Sequence, residues 1–294
     1  MKMNSIRKKV MIVFALALIS TLLYTACGST EKTPSGDGGD DAGKLSGTVT
    51  VSGSTSVQPL AQDLADVFNE TQPDVVVEIQ GGGSSQGIKD VSDGISAIGN
   101  SSRDLKEEEK SLGLTEHIIA YDGIAVVAHP SNPVSNLTKD QLQKIFKGEI
   151  TNWKDVGGND AQILVVTRED GSGTRSAFEE LLKLQETKDG KTVSYMKSDA
   201  LVADSNGAVK ANVSSKTDAI GYTSLGYVDD TLKKVSVDGV ECTVENVKNK
   251  NYAISRPFLM LTKGELAPEV QAFLDFIKGD KGQEVVGEKY ITIK

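Results

Sequence analysis

The sequence has few of the side chains from which most catalytic and metal sites are built. It contains two histidines, two cysteines and one tryptophan in 294 residues. His117 and His129 stand at the two ends of one long apolar run, and neither has an obvious nucleophile beside it. A zinc site needs several cysteine, histidine or carboxylate ligands close together, and this scarcity argues against one. We therefore expect no metal and no cofactor.

Sequence signatures of common enzymes are also missing. No Gly-x-x-x-x-Gly-Lys-Ser/Thr segment is present, so a nucleotide-binding P-loop is not supported. No serine lies in the Gly-x-Ser-x-Gly frame that forms the nucleophile turn of many hydrolases. Asp37, Asp40 and Asp41 lack the spacing and the closing glutamate of a calcium loop. We predict that the protein is not an enzyme.

Basic residues are fewer than acidic ones. The formal net charge is -9, with 41 acidic residues against 32 lysines and arginines. Four of the basic residues precede Cys27, and without them the charge falls to about -13. A protein this acidic repels nucleic acid, which we exclude as a partner. If it binds an anion, it does so with local hydrogen-bond donors in an enclosed site and not with a basic patch.

The first 27 residues have the pattern of a targeting segment. A basic start precedes an apolar run over residues 10–23, which is too short to be read as a membrane span. The run ends in Leu23-Tyr24-Thr25-Ala26-Cys27, which resembles a bacterial lipoprotein signal, although an aliphatic residue is usual in place of Tyr24. In such signals the cysteine becomes the lipidated first residue and carries fatty acids such as palmitate. Ordinary secretion, or an uncut signal anchor with Cys27 incidental, are the alternatives.

Residues 28–44 are rich in glycine, serine, threonine and aspartate, and their composition predicts a flexible tether. After the signal is removed only Cys242 remains besides Cys27, so no internal disulfide is expected and the fold depends on its core. About 250 residues then remain for folding, enough for one large or two medium domains.

From Leu45 onward, strands and helices alternate along the chain. Short β-branched runs predict strands at residues 48–52, 75–79 and 95–99, and residues 118–128 form the longest extended segment. Apolar residues at helical spacing predict helices between these strands, around residues 57–68 and 88–91. This order and spacing favour parallel α/β layers.

A second set of strands and helices follows the first. Strands are predicted at residues 163–167, 219–225 and 258–262, with helices after Thr138, after residues 170–175 and over residues 270–277. No internal period indicates a solenoid or propeller. We predict two α/β halves with a binding site between them.

Four polar turns follow predicted strands and precede helical patterns. Because the first N–H groups of a helix have no partner inside it, and the helix dipole adds positive charge there, such turns favour bound anions. Ligands of open α/β sheets bind beyond the carboxyl ends of the strands, where these turns lie. Simple helix capping is the alternative explanation for each turn taken alone. The turns are Gly53-Ser54-Thr55-Ser56, Gly81-Gly82-Gly83-Ser84-Ser85, Asn100-Ser101-Ser102-Arg103 and Asp170-Gly171-Ser172-Gly173-Thr174-Arg175.

The last of these turns is the most informative, because Arg168 and Asp170 stand beside its small residues. A guanidinium at position 168 could contact a bound oxyanion in bidentate fashion. An ionised Asp170 only accepts hydrogen bonds, so a carboxylate facing the anion would require a ligand that carries a proton. Phosphate offers that proton and sulfate does not. The alternative is that Asp170 and Ser172 only cap a helix.

Taken in order, these motifs resemble the phosphate-binding component of Pst-type ABC transporters. The resemblance runs from about Gly47 to the carboxyl terminus, and the lipoprotein signal is similar to that of Gram-positive members. The most specific of the motifs is the one over residues 168–174. The motifs are Gly53-Ser54-Thr55-Ser56, Gly83-Ser84-Ser85, Gly99-Asn100-Ser101-Ser102-Arg103, Lys147-Gly148-Glu149-Ile150-Thr151-Asn152-Trp153 and Arg168-Glu169-Asp170-Gly171-Ser172-Gly173-Thr174.

The resemblance implies a two-domain periplasmic-binding-protein fold of class II, the venus-flytrap, with the oxyanion dehydrated in the cleft. It implies a lipoprotein signal at residues 1–27, a tether at 28–44, domain I at 45–125 and 253–294, and domain II at 126–252. The third turn has Ser102 where some members supply an aspartate, which leaves Asp170 as the chief discriminator against sulfate. The implied phosphate-binding residues are Thr55, Ser56, Ser84, Ser102, Arg168, Asp170, Ser172, Gly173 and Thr174.

The implied function is high-affinity binding of inorganic phosphate outside the cytoplasm and its delivery to the permease subunits of an ABC transporter. The protein is expected to be a monomer held at the outer face of the cell membrane by lipid on Cys27. One alternative is a receptor for another tetrahedral oxyanion such as sulfate or molybdate. A second, from a different class, is a secreted phosphate-ester hydrolase that uses a serine of the glycine-serine turns. A third is an adhesin or signalling lipoprotein that keeps the fold without the ligand.

Overall fold

The computed structural model describes residues 45–188 and 191–294. The predicted signal, the lipidation site at Cys27 and the predicted tether lie outside the described residues. Within the described ranges, no helix is long and apolar enough to cross a membrane.

Strands and helices alternate along most of the described chain. The strands are β1 Gly47–Gly53, β2 Val75–Gly81, β3 Ile98–Ser101, β4 Leu114–Ala128, β5 Asn136–Leu137, β6 Leu164–Arg168, β7 Gln185–Lys188, β8 Lys191–Ser194, β9 Leu201–Ala203, β10 Ala219–Ser224, β11 Lys233–Val237 and β12 Ser255–Lys263. The helices are α1 Gln58–Thr71, α2 Ser84–Ser92, α3 Glu107–Lys110, α4 Lys139–Lys147, α5 Gly173–Leu181, α6 Asn206–Ser215, α7 Val244–Lys248, α8 Pro268–Lys278 and α9 Asp280–Gly287.

The described strands, apart from the hairpin of β7 and β8, form one mixed sheet in the order β2-β1-β3-β12-β4-β10-β6-β9, with β11 and β5 paired beside β4. Strands β1, β2 and β3 are parallel, as are β6, β9 and β10. The long strands β4 and β12 run antiparallel to each other and join these two parallel groups. The predicted parallel layers are therefore confirmed within each group, whereas the connection between the groups is antiparallel.

Strand β4 passes through both halves of the molecule. Its first part pairs with β12, and its last part pairs with β10 and β11. Its residues from Ile124 to Ala128 are fully buried, as expected for a strand with helices on both faces. The longest extended segment of the sequence is thus the strand that the two halves share.

Two large hydrophobic cores lie on either side of this shared strand. The first is formed by α1, α8 and α9 against β1, β3, β12 and the start of β4. The second is formed by α4, α5 and α6 against β6, β10, β11 and the end of β4. We call the first lobe the part made of β1–β3, α1–α3, α8 and α9, and the second lobe the part made of β5–β11 and α4–α7. The domain boundaries given by the sequence stay a prediction.

The amphipathic helices follow directly from the sequence pattern. In α1 the buried positions are Leu60, Ala61, Leu64, Ala65 and Phe68, which lie on one helical face. Helix α4 begins with a capping box, in which the Thr138 hydroxyl accepts the N–H of Gln141. The strand predicted at residues 95–99 begins later, at Ile98, because residues 93–94 form a turn and residues 95 and 97 are bends.

Candidate functional site

Four helices begin where the two lobes face each other. We call this region the interlobe cleft. Helices α1 and α2 come from the first lobe, and α5 and α6 from the second. Ser56, Ser84, Thr174 and Asn206, at or next to these four helix starts, are almost completely buried. The unpaired N–H groups and the dipoles of four helices therefore favour negative charge in the cleft.

Hydroxyl groups of both lobes meet in the cleft. The Ser56 Oγ lies 2.8 Å from the Thr174 Oγ1, although the two residues are 118 positions apart in the sequence. A Cβ on Gly173 would lie 2.2 Å from the Ser84 Oγ and 2.7 Å from the Ser102 Oγ. Glycine is required here because the backbone of α5 touches two serines of the opposite lobe.

The serines of the first lobe form a connected network. The Ser54 hydroxyl donates to the Ser102 Oγ at 2.8 Å, and the Ser102 N–H donates to the Ser84 Oγ at 3.1 Å. The Ser84 and Ser102 hydroxyls are 3.3 Å apart. The second and third polar turns of the sequence are thereby held side by side.

The turn of the second lobe is fixed by its own hydrogen bonds. Ser172 caps α5, since its Oγ accepts the N–H of Arg175 at 3.2 Å. The Gly171 carbonyl accepts the Ser85 N–H from the opposite lobe at 3.1 Å. The capping role considered for Ser172 is therefore present, and the same turn also makes a contact across the cleft.

Arg168 ends β6 at the base of this turn and is fully buried. Its Nε and Nη2 donate to the two carboxylate oxygens of Glu169 at 2.9 and 2.8 Å. Its Nη1 is buried and has no hydrogen-bond partner in the part of the chain that the structure describes. Burying an N–H of a charged group without an acceptor costs free energy, so the Nη1 is well suited to donate a hydrogen bond to a bound anion.

Asp170 is not brought into the cleft, and the position expected from the sequence is corrected. Its side chain is 94 % exposed and forms an ion pair with Arg175, 2.6 Å from the Nη1. The chain turns at Asp170–Gly171 before α5, so its carboxylate points to solvent while Ser172 and Thr174 turn inward. The carboxylate that neutralises Arg168 is that of Glu169, one residue earlier.

Sequence reasoning missed Asn206, the first residue of α6. Its Nδ2 donates to the Thr55 Oγ1 at 3.0 Å and to the Ser56 Oγ at 2.8 Å, and both acceptors belong to the first lobe. Its Oδ1 accepts the Ser224 N–H at 3.2 Å, which fixes the orientation of the amide. The polar segment that follows strand β9 has the same strand-turn-helix order as the other four turns, and this signal could have revealed it.

Sequence reasoning also missed the ion pair of Asp122 and Arg256. The Arg256 Nη2 lies 2.9 Å from the Asp122 Oδ2, and the two side chains are 2 % and 0 % exposed. Burial raises the pKa of Asp122, and burial lowers the pKa of Arg256, while each charge opposes the shift of the other. The signal was one charge beside apolar residues in each strand, Asp122 within residues 118–128 and Arg256 just before residues 257–261.

The structure brings together eight of the nine residues expected to bind an anion and leaves out Asp170. These eight are Thr55, Ser56, Ser84, Ser102, Arg168, Ser172, Gly173 and Thr174, and all are buried. Their groups can donate several hydrogen bonds to a small oxyanion. Among the described residues, no group of three or more histidines, cysteines or carboxylates could hold a metal ion.

Sequence comparison relates the chain to one family. A model described as a PBP superfamily domain matches residues 38–281. The phosphate-binding protein PstS of Bacillus subtilis is 34 % identical over 98 % of this chain and 95 % of that relative. PstS of Borreliella burgdorferi is 33 % identical over 84 % of this chain and 90 % of that relative.

Two solved structures resemble the fold. A substrate-binding protein from Clostridium perfringens, solved with bound phosphate, is 48 % identical, with a TM-score of 0.80 over 84 % of this chain and 100 % of that one. An ABC-type phosphate transport receptor from Vibrio cholerae is 40 % identical, with a TM-score of 0.69 over the same shares. The two-lobed α/β arrangement is therefore shared with both structures.

Proposed function

We propose that this chain, which belongs to the PBP superfamily and to the PstS family of phosphate-binding proteins, binds inorganic phosphate. One observation carries the proposal: hydroxyl groups of both lobes meet at the helix starts, next to a fully buried arginine whose Nη1 has no partner among the described residues. Many neutral donors around one cation suit a small, dehydrated oxyanion in an otherwise acidic protein.

Each residue of the cleft has a defined part in this binding. Thr55, Ser84 and Ser102 offer donors from the first lobe, while Ser56 hydrogen-bonds to the Thr174 hydroxyl. Arg168, Ser172, Gly173 and Thr174 offer donors from the second, including the free N–H groups at the start of α5. Because both lobes contact one anion, phosphate stabilises the closed arrangement over an open one.

The closed, loaded protein would then deliver phosphate to the permease subunits of an ABC transporter. We propose that domain I spans residues 45–125 and 253–294 and domain II residues 126–252, since the two cores lie on either side of the shared strand. Lipid on Cys27 and the tether at 28–44 would hold a monomer at the outer face of the cell membrane.

Replacing Cys27 by serine should release the protein from membranes. Membrane retention of that variant would exclude the lipid anchor.

Sulfate is a second candidate ligand for a specific reason. The partly exposed carboxylate of Glu169 is engaged by Arg168, and the buried carboxylate of Asp122 is engaged by Arg256. With Asp170 exposed and Ser102 in the third turn, no carboxylate among the described residues is left over in the cleft to accept a ligand proton. A site made of donors discriminates weakly between protonated and fully ionised oxyanions.

Calorimetry on residues 28–294 with phosphate and with sulfate, in separate titrations, tests the proposal. We expect phosphate to bind at micromolar concentration or tighter. Absence of phosphate binding at that concentration would exclude the proposed function, and tighter binding of sulfate would assign the cleft to that anion instead. An assay with a phosphate ester addresses the hydrolase alternative, for which we expect no turnover.

A further inference from the structure

Asp122 and Arg256 lie opposite each other on the two strands that the lobes share. Asp122 is in β4 and Arg256 in β12, and they are direct partners in the antiparallel register. Asp122 also holds the second lobe, because its Oδ1 accepts the Ser224 hydroxyl at 3.0 Å and the Leu225 N–H at 3.2 Å. The ion pair thus lies between the lobes at the base of the cleft.

Asp122 accepts hydrogen bonds from two of the three guanidinium nitrogens of Arg256. Its Nε and Nη2 donate to the Asp122 Oδ2 at 3.3 and 2.9 Å, and its Nη2 also donates to the Ser56 Oγ at 3.0 Å. Its Nη1 is buried and has no partner within residues 45–188 and 191–294. Arg256 therefore repeats the arrangement of Arg168, in which one carboxylate holds two nitrogens and the Nη1 is left over.

The contact with Ser56 determines the direction of the hydrogen bonds in the cleft. The Ser56 Oγ accepts from the Arg256 Nη2 and from the Asn206 Nδ2, which occupies both of its lone pairs. Its own proton is then available only for the Thr174 Oγ1, 2.8 Å away. Thr174 consequently accepts from Ser56 and keeps its own proton for a ligand.

Arg168 is close enough to Arg256 for its charge to act on it. Burial lowers the pKa of Arg256, and the neighbouring charge of Arg168 lowers it further, while Asp122 opposes both effects. Two buried guanidinium groups, each with an Nη1 that has no partner in the described part of the chain, are stabilised by an anion that accepts from both.

We propose that Arg256 is a second arginine of the anion site, which contacts the oxyanion through its Nη1 and orients the Thr174 hydroxyl toward it through Ser56. Asp122 is a positioning residue that holds Arg256 in the cleft. This inference rests on the proposed function, because it assigns a further residue to the same ligand.

The decisive protein is the double variant D122N/R256Q, studied in residues 28–294 with inorganic phosphate as the ligand. Asparagine and glutamine can hydrogen-bond to each other, so this variant removes both charges without leaving one of them buried alone. We expect phosphate affinity to fall about tenfold to a hundredfold, the range for a lost hydrogen bond to a charged group. The melting temperature without phosphate should stay close to that of the wild type.

The single variant D122N separates ligand contact from a purely structural role. It keeps Arg256, and an amide oxygen at position 122 can still accept from the guanidinium and hold it in place, so we expect a much smaller loss of phosphate affinity than in the double variant. If the pair only ties the strands together, D122N should lose as much affinity as D122N/R256Q, and that result would overturn the proposal. An affinity of the double variant within about twofold of the wild type would overturn it too.

The matched charge control is K289Q, which removes a cation from an exposed pair with Asp63. It should leave phosphate affinity unchanged, because exposed pairs contribute little. Failure of the wild-type protein to bind phosphate would count against the proposed function itself. Binding by the wild type with undiminished binding by D122N/R256Q would count only against the role of Arg256.

Discussion

Gly173 determines how closely the two lobes approach each other at the site. Its backbone lies against the Ser84 and Ser102 hydroxyls, with no room for a side chain between them. Gly171, two residues earlier, is different, because the nearest atom to a Cβ there would be the Ser85 Cβ at 3.9 Å. The same turn thus offers one glycine that is required for close contact and one that is not.

Gly173→Ala should weaken phosphate binding about tenfold or more, because the added methyl group forces the lobes apart at a strain of ~1–3 kcal/mol. The free energy of unfolding should change little, since alanine is the better helix former at the start of α5. Calorimetry and thermal unfolding measure the two effects. Gly171→Ala is the control, and equal affinity losses in both variants would contradict the close-contact explanation.

Glu169, and not Asp170, is the carboxylate that lies beside the anion site. Glu169 neutralises the buried Arg168, while Asp170 pairs with Arg175 at the exposed edge. Asp170→Asn should therefore leave both phosphate affinity and the preference over sulfate within about twofold, as for other exposed ion pairs. Calorimetry with both anions measures this, and a lost preference for phosphate would return Asp170 to the cleft.

At the scale of elements, α6 differs from the other three helices of the cleft. It contributes an amide side chain that reaches across to Thr55 and Ser56, whereas α1, α2 and α5 contribute hydroxyls or a glycine. The Tyr227 hydroxyl, from the turn after β10, adds a hydrogen bond to the Thr55 carbonyl at 2.8 Å. Residues of the second lobe therefore hold the first polar turn at both Thr55 and Ser56.

Asn206→Ala should lower the free energy of unfolding by ~1–3 kcal/mol, because buried groups of Thr55, Ser56 and Ser224 lose their partner. Phosphate affinity should fall as well, since the start of α1 is no longer held across the cleft. Chemical denaturation and calorimetry measure these effects. Asn212→Ala is the control on the same helix, because the Asn212 side chain makes local hydrogen bonds, donating to the Ala208 carbonyl and accepting from the Lys216 Nζ.

At the scale of the whole molecule, two separate cores are joined by strands β4 and β12 and by the cleft contacts. A ligand that contacts both lobes adds its binding energy to the folded, closed protein alone. Because each lobe has its own core, the contacts at the helix starts are the ones that such a ligand would strengthen.

Phosphate at about a hundred times its dissociation constant should stabilise the folded protein by ~2.7 kcal/mol. For a domain of this size the melting temperature should then rise by about 5–11 °C. Thermal unfolding with and without phosphate, at matched ionic strength with sodium chloride, measures the shift. The same rise with chloride would show that the effect is ionic and not specific.

The sequence predicted the elements with a regular hydrophobic pattern. The amphipathic faces of α1, α4, α5 and α8 and the long strand β4 are where the periodicity placed them, because one buried face dictates the spacing of apolar residues. Helix α6 was missed because it buries only Asn206, Val209 and Val213, which is too weak a pattern. The β7–β8 hairpin was missed because its strands are short and polar.

By itself, the sequence determined the polar turns and the helix starts, since both depend on residues close along the chain. Only the tertiary structure decided which charges meet in the cleft. Arg256 pairs with Asp122 across 134 positions, and Asn206 reaches Ser56 across 150. Such partners depend on strand register and on how the lobes meet. Whether Glu169 or the adjacent Asp170 neutralises Arg168 depends likewise on how the backbone turns at these two residues. Local spacing carries no information on these contacts, because they form only when distant segments fold against each other.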